Sequence, residues 1–394
     1  MRSPLAPVRW ASCNNMSADR ERPKGQTGLK DMSKTDISSV RRQYDRHMRT
    51  KAAILAACGV MVFVTAVFSI CVGAADLSFS DVVHAFWADE TVRAQPNYDT
   101  TTKIVWLLRM PRVIMAVFAG AGLALCGTVM QGITRNPLVS PYTVGISNAA
   151  SFGVAAVVLF SGKLPFLAGI DGQLMKMAGA FLMAMLCAAG VYGVSAARRM
   201  NVTTLVLMGT ALSYLFSALS NTMQYLANEQ ELSTIVHWTF GSLQKATWPQ
   251  VGIVAGAFVA VFVVSMFYAR HLNAMAGASE DVPRALGIHV TAVRLITGIL
   301  TVMLSALIIS FVGVIGFVGI VAPHIARMIV GSDHRTLIPL SCICGGMLLV
   351  LSDTIGRTLF SPVVIPVGIV VAYVGVPIFV HLILSQKRGR ALNA

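Results

Sequence analysis

About ten apolar runs, each near the length needed to cross a bilayer, constrain this chain more than any other feature. They fall at 52–73, 113–133, 143–161, 174–196, 203–222, 249–268, 293–312, 314–330, 336–357 and 366–385. A helix of about 20 apolar residues crosses about 30 Å of hydrocarbon, and inside lipid a segment must satisfy its own backbone hydrogen bonds. The expected fold is therefore all-α and integral to the membrane. Charged residues make up 12% of the 394, against about 25% in a soluble domain, which argues the same way.

The formal net charge of +14 does not point to nucleic acid, because no nucleic-acid-binding motif accompanies it. The lysines and arginines are instead sorted by side. The N-terminal segment and the loops holding Arg135, Arg198, Arg199, Arg270, Arg284, Arg294, Arg327, Arg335, Lys387, Arg388 and Arg390 all fall on one side of an even number of spans. Opposite loops carry Asp76, Asp81, Asp89, Glu90, Asp99, Asp171, Glu229 and Glu231. Positive loops stay in the cytoplasm, so both termini are expected there.

Against that rule, Arg109 and Arg112 in "WLLRMPRVIMAVFAG" lie on the outer side. Two readings stand. Long basic side chains at helix ends can snorkel to lipid headgroups. Alternatively the i, i+3 spacing puts both on one face of a starting helix, with Pro111 tolerated in its first turn, as an outward-facing cationic spot that steers a soluble partner. Asp353 and Arg357 in "LSDTIGRTLF" are i, i+4 and can pair, offsetting the cost of charge in lipid. Arg357 falls late in its span and can join the other two arginines.

Small residues mark close helix contacts. Gly120, Gly122, Gly127 and Gly132 in one run, and Gly313, Gly316 and Gly319 in another, let backbones approach in lipid. Their recurrence in both halves suggests an internal repeat, a common build of transporters. "RNPLVSP" then reads as a break after the second span.

The longest inner loop, residues 269–294, is too polar to span. Ala274 to Ala278 suggest one short helix. Ser279, Glu280 and Asp281 suggest the start of a second, with Pro283 in its first turn and Gly287 closing it. Such a loop is either merely helical or a socket for a cytoplasmic partner.

Residues 1–51 break the apolar pattern and are expected to be a basic, disordered cytoplasmic segment; 389–394 form a short tail. Six cysteines sit inside apolar runs, where cysteine packs as a small hydrophobe, and no metal site is expected. There is no phosphate loop of the G-x-x-x-x-G-K-[ST] type, and His324, after Pro323, reads as a kink residue rather than a proton relay.

"LLRMPRVIMAVFAGAGLALCGTVMQGITRNPLVSPYTVGISNAASFG", "RALGI", "GFVGIVAPHIARMIVGSDHRTLIPL", "SDTIGR" and "VIPVGIVVAYVGVPIFVHLIL" occur in this order. Together they resemble the FecCD-type permeases, membrane subunits of importers for ferric siderophores, haem and cobalamin. The resemblance runs from about residue 52 to the end. It implies a BtuC-like, type II ABC importer permease of ten transmembrane helices with internal pseudo-symmetry. It implies work as a homodimer, or with a related subunit, in the cell inner membrane. Arg109, Arg112 and Arg357 would receive acidic residues of an extracytoplasmic substrate-binding protein. Ala278, Glu280, Ala285, Leu286 and Gly287 would dock ATP-binding cassette ATPase subunits within a coupling segment, 273–290. Asn136, Leu138 and Thr203 would form the cytoplasmic gate. This chain would carry no cofactor, catalytic residue or metal, since ATP and Mg bind the partner ATPase. The expected cargo is a ferric siderophore, with haem or cobalamin as the alternative. An ion-coupled secondary transporter is the rival, but only Asp353 is available as a mid-membrane carboxylate.

Overall fold

The computed structural model describes residues 34–73, 78–87, 98–163, 170–198, 200–277, 281–359 and 361–391. By internal contacts the chain divides into residues 1–50 and 51–394. Within the first unit, residues 34–50 are helical rather than disordered. No glycine or proline interrupts Lys34 to Thr50, and arginine, glutamine, lysine and methionine all favour a helix.

The remainder is helical, with no strand among the described residues. In chain order the helices are α1 (Lys34–Cys71), α2 (Phe79–Phe86), α3 (Tyr98–Lys103), α4 (Met110–Thr134), α5 (Ile146–Phe160), α6 (Gly172–Ala197) and α7 (Val202–Leu226). They continue as α8 (Glu229–Thr239), α9 (Trp248–Met275), α10 (Asp281–Ala285), α11 (Val290–Val312), α12 (Val318–Val330), α13 (His334–Thr358) and α14 (Val367–Ala391). Among the described residues seven stretches are long and apolar enough to cross a membrane, and three shorter apolar helices, α5, α12 and the first half of α14, complete the set read from sequence.

The core is organised around α4. Of its most apolar window 83% is buried, against 6% for that of α1, so α4 is central and α1 peripheral. Helix α13 lies antiparallel to α4 along its whole length. Arg112 meets Asp353, Gly120 meets Gly345 and Gly132 meets His334. A side chain at Gly120 would land on the Gly345 carbonyl, and one at Gly127 on the Gly319 carbonyl of α12. These glycines are therefore required by close approach: in lipid, helix association relies on such van der Waals contact.

Each end of α4 is unusual. Before it, Ile104–Arg109 forms a π-helical turn, with the Met110 N–H bonded to the Val105 carbonyl. Pro111 has no N–H to give, and the wider turn absorbs that loss while rotating Leu107 and Leu108 outward and Arg109 inward. After it, Arg135 takes a left-handed conformation (φ 54°). The Asn136 Oδ1 then accepts the Leu138 N–H at 3.0 Å, so "RNPLVSP" is a break closed by an asparagine turn.

The inner loop differs from the two-helix expectation. Helix α9 runs on to Met275, because nothing between Ala269 and Met275 breaks a helix, so Ala274 belongs to the long helix. Among the described residues only α10 remains as a short helix, closed by Gly287 at φ 77° and by Gly287 N–H to Arg284 O at 3.0 Å. Gly127→Ala should cost about 1–3 kcal/mol by overpacking and lower the unfolding temperature in detergent. Gly59→Ala, where nothing lies within 4 Å, should leave it unchanged or raise it.

Candidate functional site: an arginine cluster and a coupling loop at opposite ends of the bundle

The cluster begins with the end of α1. A helix leaves its last carbonyls unbonded, and cations suit that negative end. Arg109 supplies one, its Nη1 donating to Ile70 O at 2.6 Å and to Cys71 O at 2.8 Å. Arg357 supplies another, donating through Nη2 to Ser69 O and to Ser69 Oγ. The Ser69 hydroxyl also shares a hydrogen bond with Thr354 Oγ1 at 2.7 Å. A Cβ on Gly73 would come within 3.1 Å of the Arg109 guanidinium and 3.3 Å of that of Arg357, so the chain leaving α1 passes directly over both.

Asp353 neutralises part of the charge. Arg112 grips it with two groups, Nε at 2.9 Å from Oδ2 and Nη2 at 2.9 Å from Oδ1. Arg357 Nε stands 3.6 Å from Oδ2. The i, i+4 pair read from sequence is therefore present, but the tighter partner comes from α4.

Arg357 does converge on Arg109 and Arg112, as expected, yet the three do not form an open platform. Arg109 and Arg357 are only 6% and 5% exposed. Arg109 Nη1 and Arg357 Nη2 are taken up by oxygens of α1, whereas the buried Arg357 Nε makes no hydrogen bond and only faces Asp353 at 3.6 Å. Arg112, at 15% side-chain exposure, is the more accessible member.

At the other end of α4 and α13 lies the coupling loop. Val282, Ala285, Leu286 and Gly287 are exposed, Leu286 to 67%. Ala278, Ser279 and Glu280 lie outside the described residues. The gate candidates Asn136, Leu138 and Thr203 are also exposed, and Thr203 N–H is capped by Asn201 Oδ1 at 2.8 Å.

Beneath them runs a polar network of which the sequence pattern marks only the arginines, as loop charge. Asn273 Nδ2 donates to Asp333 Oδ1 at 2.6 Å, while Asn273 Oδ1 accepts the His334 backbone N–H at 2.8 Å. Because that oxygen also faces His334 Nδ1 at 2.8 Å, Nδ1 must carry the proton. Burial pushes the Asp333 carboxyl up, but hydrogen bonds from Asn273 and the Arg335 N–H outweigh it and leave it below the usual carboxylate range. Gln131 accepts from Arg327 Nη2 at 2.9 Å, and with Arg135 and His334 they line a cavity of about 310 Å³. Arg294 is 4% exposed. The available signal was its position: an arginine within the first turn of an apolar span is costly unless it is bonded.

A second cavity, of about 600 Å³, lies between the α8–α9 turn, the Gly313–Phe317 link and α14. Phe240, Val314, Phe317, Ile369, Tyr373 and Val376 line it, with no charged residue.

The model of the FecCD transport family matches residues 61–385. The chain belongs to this family. As a FecCD member it is a multi-pass membrane protein and the permease subunit of an ABC importer. It is 32% identical to the hemin transport system permease protein HmuU of Yersinia pestis over 84% of this chain and 95% of that one. It is 31% identical to the molybdate import system permease protein MolB of Haemophilus influenzae over 85% and 96% respectively. A solved structure described as an inward-facing conformation of a putative metal-chelate type ABC transporter matches with TM-score 0.73 and 29% identity, covering 85% of this chain and 99% of that one.

Removing one partner of a buried ion pair is more costly than the pair is worth. Asp353→Ala should therefore lose about 3–5 kcal/mol, read as unfolding in detergent. Arg112→Ala, which leaves Asp353 beside Arg357, should lose less.

Proposed function

We propose that this FecCD permease imports an iron chelate, most simply a ferric siderophore, delivered by an extracytoplasmic binding protein and driven by two cytoplasmic ATPase subunits. The observation that carries the reading is the separation of its two special ends. The arginine cluster and the exposed loop 281–287 occupy opposite ends of one antiparallel helix pair, α4 and α13. With the basic loops inside, the arginines face the binding protein, both termini are cytoplasmic, and the coupling loop faces the ATPases in the inner membrane.

The docking role rests on a net positive cluster, three arginines against one aspartate, whose reachable member is Arg112. A carboxylate of the binding protein would meet Arg112 first. Arg109 and Arg357 would act from behind, by their field and by holding the end of α1 in position. Val282 and Leu286, large apolar side chains exposed at 52% and 67%, suit burial against the ATPase beside Ala285 and Gly287; Ala278 and Glu280 belong to the same proposed contact. ATP and Mg act in that partner, and this chain supplies the path.

A second permease subunit is favoured by α7. Thr203, Thr210, Tyr214 and Asn221 recur on its exposed face at helical spacing. Thr210 satisfies its hydroxyl on Val206 O, but Tyr214 and Asn221 would lack partners in lipid, so this face is best turned to another subunit, identical or related, or to a wet path between them. Asn136, Leu138 and Thr203, exposed at the loop end, are proposed as the inner gate.

The cargo argument is chemical. A cavity without charge suits the organic shell of a chelate better than a bare oxyanion, which needs donors or cations. HmuU is named for hemin, itself an iron chelate. MolB, named for molybdate, makes the test necessary. The complex purified with its ATPase and binding protein should raise its ATP turnover with a ferric siderophore; a rise with only hemin, cobalamin or molybdate would reassign the cargo. Arg112→Gln should weaken binding-protein stimulation about tenfold, mainly through slower association, with a smaller loss of stability than Asp353→Ala. Charge reversal at Arg109 would be a poorer probe, because it also uncaps α1.

A further inference from the structure

The loop proposed to meet the ATPase has two stems, the end of α9 and the start of α11, and both are bonded to the same short stretch of α4. From the α9 side, Met275 O accepts Arg135 Nε at 2.5 Å. From the α11 side, Arg294 Nε donates to Ile133 O at 3.2 Å and its Nη1 donates to Met200 O at 3.3 Å. Ile133 lies three residues before Asn136, and Met200 three residues before Thr203. One buried guanidinium thus holds the chain just upstream of both gate segments.

The local geometry suits a lever. Arg135 is held left-handed at φ 54°, and so is Met200 at φ 54°, conformations that cost energy for residues with a side chain and persist only when their surroundings impose them. Beyond Arg135, the turn 136–138 is closed by its own asparagine bond, so it follows Arg135 as a unit. Asn273, bonded to Asp333 and His334, keeps the α9 stem against α13 at the same level. A guanidinium with several fixed donors can hold two carbonyls at once; a lysine, with one compact charge, holds them less rigidly.

The geometry points to Arg294 and Arg135 as positioning residues that pass movement of residues 281–289 to the gate turns at 136–138 and 203. The inference rests on the docking and gate roles proposed above. Arg294 links the α11 stem to both gate segments, and Arg135 links the α9 stem to the first of them.

The test uses the reconstituted complex with its ATPase, in a chain freed of native cysteines and carrying one nitroxide label, at Leu138→Cys or Leu286→Cys. Both sites are exposed. In the parent, ATP should change label mobility at both positions. With Arg294→Ala, the label at 286 should still respond while the response at 138 falls at least fivefold. Transport should fall at least tenfold, and ATP hydrolysis should continue. Arg294→Lys should restore part of the response at 138. Arg135→Gln, at a half-buried site, gives a second variant less demanding of folding and should reduce the response at 138 about twofold. A full response at 138 in both Arg294→Ala and Arg135→Gln, with 286 responding, would overturn the inference alone. A label at 286 silent in the parent would remove the docking role itself, and the inference with it.

Discussion

Backbone contact between helices at glycine is the constraint from which the rest follows. At Gly120 with Gly345 and at Gly127 with Gly319, α4 touches α13 and α12 with no side chain between them. Lipid offers no hydrophobic drive for helix association, so contact area and close approach must supply it. Once α4 and α13 lie this close and antiparallel, their ends are fixed opposite each other. Arg112 then faces Asp353, and Gly132 faces His334. Both functional ends of the permease are consequences of one interface.

The charged residues are tolerated because each end of the bundle has unsatisfied backbone to offer. Arg109 and Arg357 bond the last carbonyls of α1, and Arg294 bonds a carbonyl in the last turn of α4. In each case a cation lies at the negative end of a helix, where the macrodipole favours it. The same bonds that make the arginines affordable in an apolar surround also make them structural. In the proposed docking, a partner would meet a cluster already half committed to the fold, with Arg112 its most exposed member.

Much of this was legible in the sequence, for identifiable reasons. Span positions follow from apolar runs because the bilayer imposes a length; the lysines and arginines supply only an expected sidedness, through the positive-inside rule. The glycine contacts were visible as composition, and the convergence of Arg109, Arg112 and Arg357 followed from counting spans. Their burial was not visible, because the partners of Arg109 and Arg357 are backbone carbonyls of α1, which have no signature in the sequence. The grip of Arg112 on Asp353 was hidden for a related reason: the i, i+4 pairing with Arg357 was the local solution, and the register of α4 against α13 supplied a better one. Helix 34–50 was missed because polarity was read as disorder, although the segment lacks any helix breaker.

Arg294 shows where counting charges fails. A basic residue at a membrane boundary contributes equally to orientation whether it points to water or into the protein, so the positive-inside sum treats Arg294 and Arg284 alike. Burial separates them: Arg284 is exposed, whereas Arg294 lies beneath the surface against Ile133 and Met200. A cation needed only for orientation has no reason to accept the desolvation that burial imposes. One that ties the last turn of α4 to the link between α6 and α7 does, because its bonds set the relative positions of those segments. Because bending the central pair would disturb its glycine contacts, the turns that such residues hold are where the proposed coupling would act.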